Sequence, residues 1–129
     1  MTLDTNVVIA FLQGGDRQLK GRLLDSPPED ICLCSIVKSE LLYGAAMSRD
    51  PVGSRARLAI VFDRLASLPF DDQAAELCGD IRGRLARAGH PISIQDAMIG
   101  AIAIAHDVSV ATRNVREFRR IHGLRVVEW

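Results

Sequence analysis

The sequence has no excess charge of either sign and no long hydrophobic run. Its 16 basic residues balance its 16 acidic residues, so the formal net charge is zero. A domain that binds polyanions over its whole surface is excluded, because such domains are strongly basic. No apolar stretch approaches the roughly 20 residues that a membrane-spanning helix needs, and no basic-then-apolar signal segment opens the chain. We therefore expect a soluble, cytoplasmic protein that has no membrane segment.

Cysteine is scarce, with three residues at Cys32, Cys34 and Cys78. Their odd number, and the lack of a second Cys or His cluster at ligand spacing, argue against a disulfide framework and against a zinc site. We expect buried free thiols. A chain of 129 residues fits a single domain, residues 1–129, whose one core removes roughly 65–70% of the unfolded surface from water.

Short apolar runs alternate with helical patterns along the chain. The runs predict strands at residues 2–4, 31–35, 68–70, 109–112 and 125–128. Apolar residues at helical spacing predict helices over residues 7–12, 17–24, 36–47, 55–66, 72–88, 94–105 and 115–120. Ser35 is placed to cap the third helix, and Asp71 or Asp72 to cap the fifth. This alternation predicts an α/β fold with a largely parallel sheet.

An aspartate, Asp4, interrupts the first apolar run at the end of the first predicted strand. Ligands of open parallel sheets bind outside the carboxyl ends of the strands. Three other residues with oxygen-bearing side chains follow strands or begin helices at the same edge: Glu40, Asp96 and Asn114. We expect these four side chains to lie close together.

Three of the four residues also have a purely structural interpretation. Asp96 stands three residues after Ser93, a spacing that fits a capping box. Glu40 fits an exposed helix residue, because most glutamates are exposed. Asn114 fits a cap for the helix that follows it. Only Asp4 has no such alternative, because it lies between apolar residues and begins no obvious surface turn.

Clustered carboxylates repel one another, and a divalent cation neutralises that repulsion. Magnesium and manganese prefer carboxylate oxygens, whereas zinc would need His or Cys ligands that these positions do not supply. A cation held in this way activates a nucleophile and aligns a phosphate for in-line attack. The four residues therefore indicate hydrolysis of a phosphodiester.

Four stretches carry a resemblance to a known family. They are L-D-T-N at residues 3–6, S-E-L-L-Y-G at 39–44, P-I-S-I-Q-D-A-M-I-G-A at 91–101 and A-T-R-N-V-R-E-F at 111–118. Together they resemble PIN-domain ribonucleases, specifically the VapC-type toxins of bacterial toxin–antitoxin pairs. The resemblance covers almost the whole chain. It implies a small, mostly parallel sheet flanked by helices, with the acidic site at the carboxyl ends of the strands.

The resemblance also implies an activity, a cofactor and partners. The chain would be an endoribonuclease that depends on Mg²⁺ or Mn²⁺, cuts RNA, and forms a homodimer that a VapB-type antitoxin holds inactive. Asp4, Glu40 and Asp96 match the three acidic metal-site positions, and Asp4 and Asp96 match the direct metal ligands. Asn114 matches a fourth catalytic position that is an aspartate in many relatives, so this departure weakens the case for a second cation.

Other matched positions have supporting roles. Thr5 and Thr112 match hydroxyls that support the carboxylates, and Asn6 matches an amide that fixes the first loop. Arg113 stands beside the site and is a candidate contact for an RNA phosphate. Glu117 lies one helical turn beyond Asn114, where an exposed surface position is the simpler interpretation.

Two other classes of function remain open. One is a PIN-fold nuclease outside a toxin pair, for example in RNA maturation, and the other is a catalytically inactive PIN-fold binding module. The three retained acids argue against the inactive module. For a toxin, we expect the antitoxin to insert an arginine among the carboxylates, with an apolar segment lying beside Val8, Leu12 and Leu42.

Overall fold

The computed structural model describes all residues from 1 to 129, and its centre is a sheet of five parallel strands. The strands are β1 (Thr2–Leu3), β2 (Cys32–Cys34), β3 (Ala66–Leu68), β4 (Val110–Thr112) and β5 (Val126–Glu128). The helices are α1 (Thr5–Gln13), α2 (Arg17–Asp25), α3 (Ser35–Ala46), α4 (Pro51–Phe62), α5 (Asp72–Arg87), α6 (Ile94–Ala105) and α7 (Val115–Phe118). The predicted α/β class and parallel sheet are confirmed.

The order of the strands places a crevice beside β1. Strand order across the sheet is β3-β2-β1-β4-β5, so the chain builds outward from the central β1 in one direction and then returns to add β4 on its other side. Thr2 pairs with Cys32 of β2 and with Val110 of β4. The point where the direction of winding reverses lies between β1 and β4, and ligand sites of such sheets form there, beyond the carboxyl ends of the strands.

The central strands are buried because helices cover both faces of a parallel sheet. Every residue of β1, β2 and β4 is buried, whereas the edge strand β3 is mostly exposed. Helix α6 is the most buried helix, with six residues in the core. All three cysteines are free and buried, which confirms the expectation for them. No helix has the length and apolarity needed to cross a membrane.

The segment around α4 differs from the prediction. The helix begins at Pro51 and ends at Phe62, so the helix predicted over residues 55–66 was displaced by about one turn. Proline fits the first helical position, and the Asp50 side chain caps the helix by accepting from the Gly53 N–H. The chain then enters β3 at Ala66, ahead of the predicted strand at residues 68–70.

The predicted cap of α3 was also wrong. Ser35 is the first helical residue, and Cys34 occupies the N-cap position without a side-chain cap bond. The Ser35 hydroxyl instead accepts a hydrogen bond of 3.1 Å from the Phe70 N–H. This bond ties the start of α3 to the segment after β3, and local sequence cannot show it because the partner is 35 residues away.

Candidate active site

The four predicted catalytic residues line one cavity of about 760 Å³ at the carboxyl edge of the sheet. Asp4 follows β1, Glu40 lies on α3 after β2, Asp96 lies in the first turn of α6, and Asn114 follows β4. None of the twelve lining residues is Lys, Arg or His. The cavity therefore gathers three carboxylates without any basic side chain to neutralise them.

Asp4 is almost completely buried, with 5% of its surface exposed. It caps α1: one carboxylate oxygen accepts a 2.7 Å bond from the Thr5 N–H, and the other accepts a 2.8 Å bond from the Thr112 hydroxyl. Burial raises the pKa of Asp4, and these two hydrogen bonds only partly offset it. This geometry explains why an aspartate interrupts the first apolar run, because the Asp4 carboxylate both caps α1 and lines the cavity.

A continuous set of hydrogen bonds joins Asp4 to both sides of the cavity. The Asn114 N–H donates to the Thr112 hydroxyl at 2.9 Å, and that hydroxyl donates to Asp4. On the other side, the Thr5 hydroxyl donates to the Glu40 carboxylate. The family resemblance implied that the hydroxyls of Thr5 and Thr112 support the carboxylates. In the structure the Thr5 hydroxyl holds Glu40, and the Thr112 hydroxyl holds Asp4.

Asp96 is held more loosely. Its N–H donates to the Ser93 hydroxyl at 3.1 Å, but the Ser93 N–H does not donate to the Asp96 carboxylate, so only half of a capping box forms. Burial raises the pKa of Asp96 most, and the negative charges of Asp4, Glu40 and Glu117 raise it further, while the Ser93 hydroxyl lowers it in part. The Asp96 carboxylate therefore shares an electric field with the other acids and repels them.

Asn114 and Asn6 line the cavity with exposed side chains. Asn114 stands at the N-cap position of α7 but makes no side-chain cap bond, so its amide oxygen is not committed to that helix. The Asn6 amide makes no hydrogen bond, and its expected role in fixing the first loop stays a prediction.

Glu117 is closer to the site than the simpler interpretation of its position suggested. It is half-buried, forms a 3.2 Å ion pair with Arg120, and contributes to the raised pKa of Asp96. Its spacing of one helical turn after Asn114 was the only signal in the sequence. Glu117 does not line the cavity, but its charge is near enough to act on Asp96.

The donors fit a hard divalent cation, although they do not form a finished chelate. No three His, Cys, Asp or Glu side chains converge closely enough to hold an ion in this structure. The cavity nevertheless offers carboxylate and amide oxygens, an unneutralised negative charge and no imidazole or thiolate ligand, which is the chemistry that Mg²⁺ and Mn²⁺ select. Asp4, Glu40 and Asp96 are the residues that would hold it.

A second, more apolar groove of about 370 Å³ adjoins the acidic cavity. Its apolar wall is formed by Ile9, Leu12, Leu41, Ala45 and Leu58 from α1, α3 and α4. Glu40 lines both this groove and the acidic cavity, so the two are continuous at that side chain.

The groove differs in part from the one expected beside Val8, Leu12 and Leu42. Leu12 lines it, but Val8 is buried in the core and Leu42 does not reach it. The neighbouring residues Ile9 and Leu41 take their places, because the faces of α1 and α3 are rotated by one residue from the expectation.

Comparison with known proteins places this architecture in a family. The PIN domain profile matches residues 1–124. The tRNA(fMet)-specific endonuclease VapC of Salmonella typhimurium is 37% identical, with 98% of this chain and 96% of that protein covered. Ribonuclease VapC2 of Rickettsia felis is 31% identical over the same shares of both chains.

Solved structures give the same result. DNA-bound VapBC from Salmonella typhimurium matches with a TM-score of 0.91 and 37% identity, covering 99% of this chain and 96% of that one. VapBC2 from Rickettsia felis, bound to a promoter fragment, matches with a TM-score of 0.90 and 29% identity, covering 99% and 97%. The likeness extends over nearly the full length of every chain compared.

Proposed function

Because this chain belongs to the PIN-domain family, we propose that it is a metal-dependent endoribonuclease and the toxin of a VapBC-type toxin–antitoxin pair. The observation that carries the proposal is the acidic cavity at the switch point of the sheet, where Asp4, Glu40 and Asp96 meet without a basic neighbour. The VapC names of its relatives and the VapBC complexes among its structural neighbours support the toxin assignment.

The three carboxylates would hold Mg²⁺, or Mn²⁺ in its place. When bound, the cation supplies charge stabilisation for phosphodiester hydrolysis and favours ionised over protonated carboxylates. The protein's own contribution is orientation. The Thr112 hydroxyl and the Thr5 N–H fix the Asp4 carboxylate, and the Thr5 hydroxyl fixes the Glu40 carboxylate. Two of the three acids are therefore oriented by hydrogen bonds to threonines.

The asparagine at position 114 favours a site with one tightly held cation over a site with two. Asn114 retains an oxygen donor but lacks the charge of an aspartate, which weakens attraction for a second ion on that side. Glu117 restores a negative charge nearby, although its pairing with Arg120 offsets part of it.

RNA is the proposed substrate. The Salmonella typhimurium relative is named for cleavage of tRNA(fMet), so an initiator tRNA is the first RNA to test.

The proposed partner is a VapB-type antitoxin that occupies the apolar groove. Because Glu40 borders both the groove and the acidic cavity, a helix lying on the exposed side chains of Ile9 and Leu12 would reach the acidic cavity at its end. An arginine at that end would form charge-assisted hydrogen bonds with the carboxylates and compete with the cation.

Homodimer formation is a further part of the proposal. Leu58 of α4 is buried in the protein's own core and is not available for a dimer contact. The exposed apolar residues of α4 are Val52 and Ile60. Light scattering of the purified chain would measure the mass.

The test is cleavage by the purified, antitoxin-free protein. It is incubated with total bacterial RNA, and separately with an initiator tRNA transcript, in the presence of Mg²⁺, and new RNA ends are mapped by sequencing. We expect discrete ends that vanish with EDTA and in an Asp96→Asn variant.

The control is Asp80→Asn, which removes one exposed carboxylate on α5, outside the acidic cavity. It should cleave at the wild-type rate. Cleavage that persists in both EDTA and Asp96→Asn would point to a contaminating nuclease and refute the assignment, as would the absence of any new end with the wild-type chain.

A further inference from the structure

A third pocket, of about 300 Å³, lies beside the acidic cavity and differs from it in charge. We call it the arginine pocket and define it by its lining residues: Asp16, Gln18, Leu19, Arg22, Arg113, Glu128 and Trp129. Two guanidinium groups, two carboxylates, one amide and one indole line the same space, so the arginines balance the acids here, whereas the acidic cavity has no basic side chain. Only Leu19 and Trp129 are apolar, so the lining is far more polar than that of the apolar groove.

The arginine pocket adjoins the acidic cavity through β4. Arg113 lines the pocket, and the next residue, Asn114, lines the cavity. The backbone N–H of Trp129 donates a 3.1 Å hydrogen bond to the backbone carbonyl of Thr112, and the Thr112 hydroxyl holds Asp4. Arg113 follows β4 and Trp129 follows β5, so both lie at the carboxyl edge of the sheet, where the acidic cavity also forms.

Both arginines are tethered in ways that a ligand can replace. Arg113 pairs with Asp16, and 43% and 35% of these two side chains are exposed. Exposed ion pairs contribute little net stability, so exchanging Asp16 for another anion costs little. Arg22 donates to the backbone carbonyl of Glu128 at 3.0 Å, which leaves its remaining N–H groups free.

We propose that the arginine pocket binds the RNA nucleotide next to the cleaved bond, with Arg113 and Arg22 on its phosphate and Trp129 stacked on its base. The proposal rests on the ribonuclease function proposed above. Guanidinium groups bind phosphates with two parallel hydrogen bonds, and an aromatic ring accepts any base through stacking. The pocket would thus orient the RNA beside the acidic cavity, whose carboxylates would hold the cation that supports hydrolysis.

Asp16 has a defined part in this scheme. One of its carboxylate oxygens caps α2 by accepting from the Leu19 N–H at 2.9 Å, and the other pairs with Arg113. When no RNA is bound, Asp16 holds the Arg113 guanidinium in place. When RNA binds, the phosphate competes with Asp16 for the same donors, so the two members of the ion pair have opposite effects on RNA affinity.

The test is steady-state cleavage of a labelled oligonucleotide that spans the cleavage site mapped for the wild-type protein. Arg113→Gln should raise KM roughly tenfold, the loss expected for one charge-assisted contact, with kcat changed by less than about twofold. Asp16→Asn should lower KM, because asparagine still caps α2 but no longer competes with phosphate. A role in folding alone would instead make both variants less stable and move KM in neither direction.

A second arm tests the base. Trp129→Ala should raise KM roughly tenfold on the intact oligonucleotide, the loss expected for one stacked base, and should have no effect on an oligonucleotide that is abasic at the flanking position. Both flanking positions are tested in turn. Arg87→Gln is the matched control, because it removes the same charge from an exposed position on α5 and should leave KM unchanged.

The possible failures are distinguishable. If the wild-type chain yields no mapped site, the ribonuclease function fails and the pocket's role fails with it. If the wild-type chain cleaves but Arg113→Gln and Arg87→Gln have equal KM, the arginine pocket does not bind RNA. If Arg113→Gln keeps its KM but loses the co-purified antitoxin, the pocket belongs to the partner and the proposal is overturned.

Discussion

The acidic cavity and the apolar groove share Glu40 and are otherwise opposite in character. The cavity is lined by charged and amide oxygens that have no basic partner, whereas half of the residues lining the groove are hydrophobic. Clustered carboxylates without a basic neighbour repel one another and destabilise the fold, and exposed apolar surface favours aggregation. The proposed function accounts for each region by what it would bind, a cation in the cavity and an antitoxin segment in the groove.

The two regions also differ in how firmly their residues are held. Asp4 and Glu40 are fixed by hydrogen bonds from Thr5 and Thr112, while the groove offers only side-chain packing. The proposed RNA hydrolysis thus depends on a few oriented side chains, whereas the proposed binding of the antitoxin depends on exposed apolar area. Substitutions in one region should leave the function of the other intact.

The largest effect is expected from Asp96→Asn. The substitution removes one of the proposed cation ligands, and cation stabilisation is worth several kcal/mol, so cleavage should fall by roughly 10³-fold or more. The fold should persist, because Asp96 is repelled by neighbouring charges and its N–H bond to Ser93 does not need the carboxylate. Cleavage rate and circular dichroism are the measurements. A folded variant with normal activity would remove Asp96 from the site.

The second-largest effect is expected from a substitution in the apolar groove. Leu12 lines it and is 39% exposed, so Leu12→Asp should weaken antitoxin binding by about 30-fold or more, the loss expected for a buried leucine at an interface. RNA cleavage by the free toxin should be unchanged. Calorimetry with the cognate antitoxin measures the affinity.

Leu24→Asp is the matched control for the groove. Leu24 is more exposed than Leu12, at 69%, and lies on α2 outside the groove. Equal losses of antitoxin affinity in the two variants would show that the groove is not the docking site.

A smaller effect is expected from Glu117→Gln. The charge of Glu117 raises the pKa of Asp96, so its removal should lower that pKa while weakening cation attraction near the cavity. We expect a severalfold increase in the Mg²⁺ concentration that gives half-maximal cleavage. Arg116→Gln on the same helix is the control, and a shift of equal size in that variant would assign the effect to general surface charge.

The smallest effect concerns pH and stability without metal. Burial raises the pKa values of both Asp4 and Asp96 above 3.8, and neighbouring negative charges raise that of Asp96 further, so the folded state holds these protons more tightly than the unfolded chain. Stability contributed by the two groups is present below pH 3.8 and is lost as the pH rises through the raised values. In EDTA, urea unfolding should show this loss, and it should be smaller in Asp96→Asn. An identical pH dependence of the unfolding free energy in both proteins would show that the Asp96 carboxylate is not destabilised by burial and neighbouring charges.

Much of the fold could be predicted because local signals were strong. Helix α6 has the predicted bounds, since Ser93 caps a dense apolar run, and the carboxyl-end rule brought Asp4, Glu40, Asp96 and Asn114 to one cavity. The errors arose where the signal was not local. The Ser35 hydroxyl found a partner 35 residues away, and periodicity alone could not choose which residue of each neighbouring pair on α1 and α3 faces the groove.

The start of α4 was predictable in retrospect. Asp50 before Pro51 is a standard cap followed by a proline at the first helical position, and this signal was outweighed by the apolar spacing further along. The arginine pocket was not predictable, because Asp16, Arg22 and Trp129 come together with Arg113 only through the order of the strands.

The most direct measurement is the rate of RNA cleavage by three proteins, wild type, Asp96→Asn and Leu12→Asp, each assayed with and without the antitoxin in Mg²⁺. The account predicts that the antitoxin stops the wild type, that Leu12→Asp cleaves at the wild-type rate and resists inhibition, and that Asp96→Asn is inactive in both conditions while still binding the antitoxin. Full activity of Asp96→Asn, or loss of cleavage in free, folded Leu12→Asp, would contradict the separation of the acidic cavity from the apolar groove.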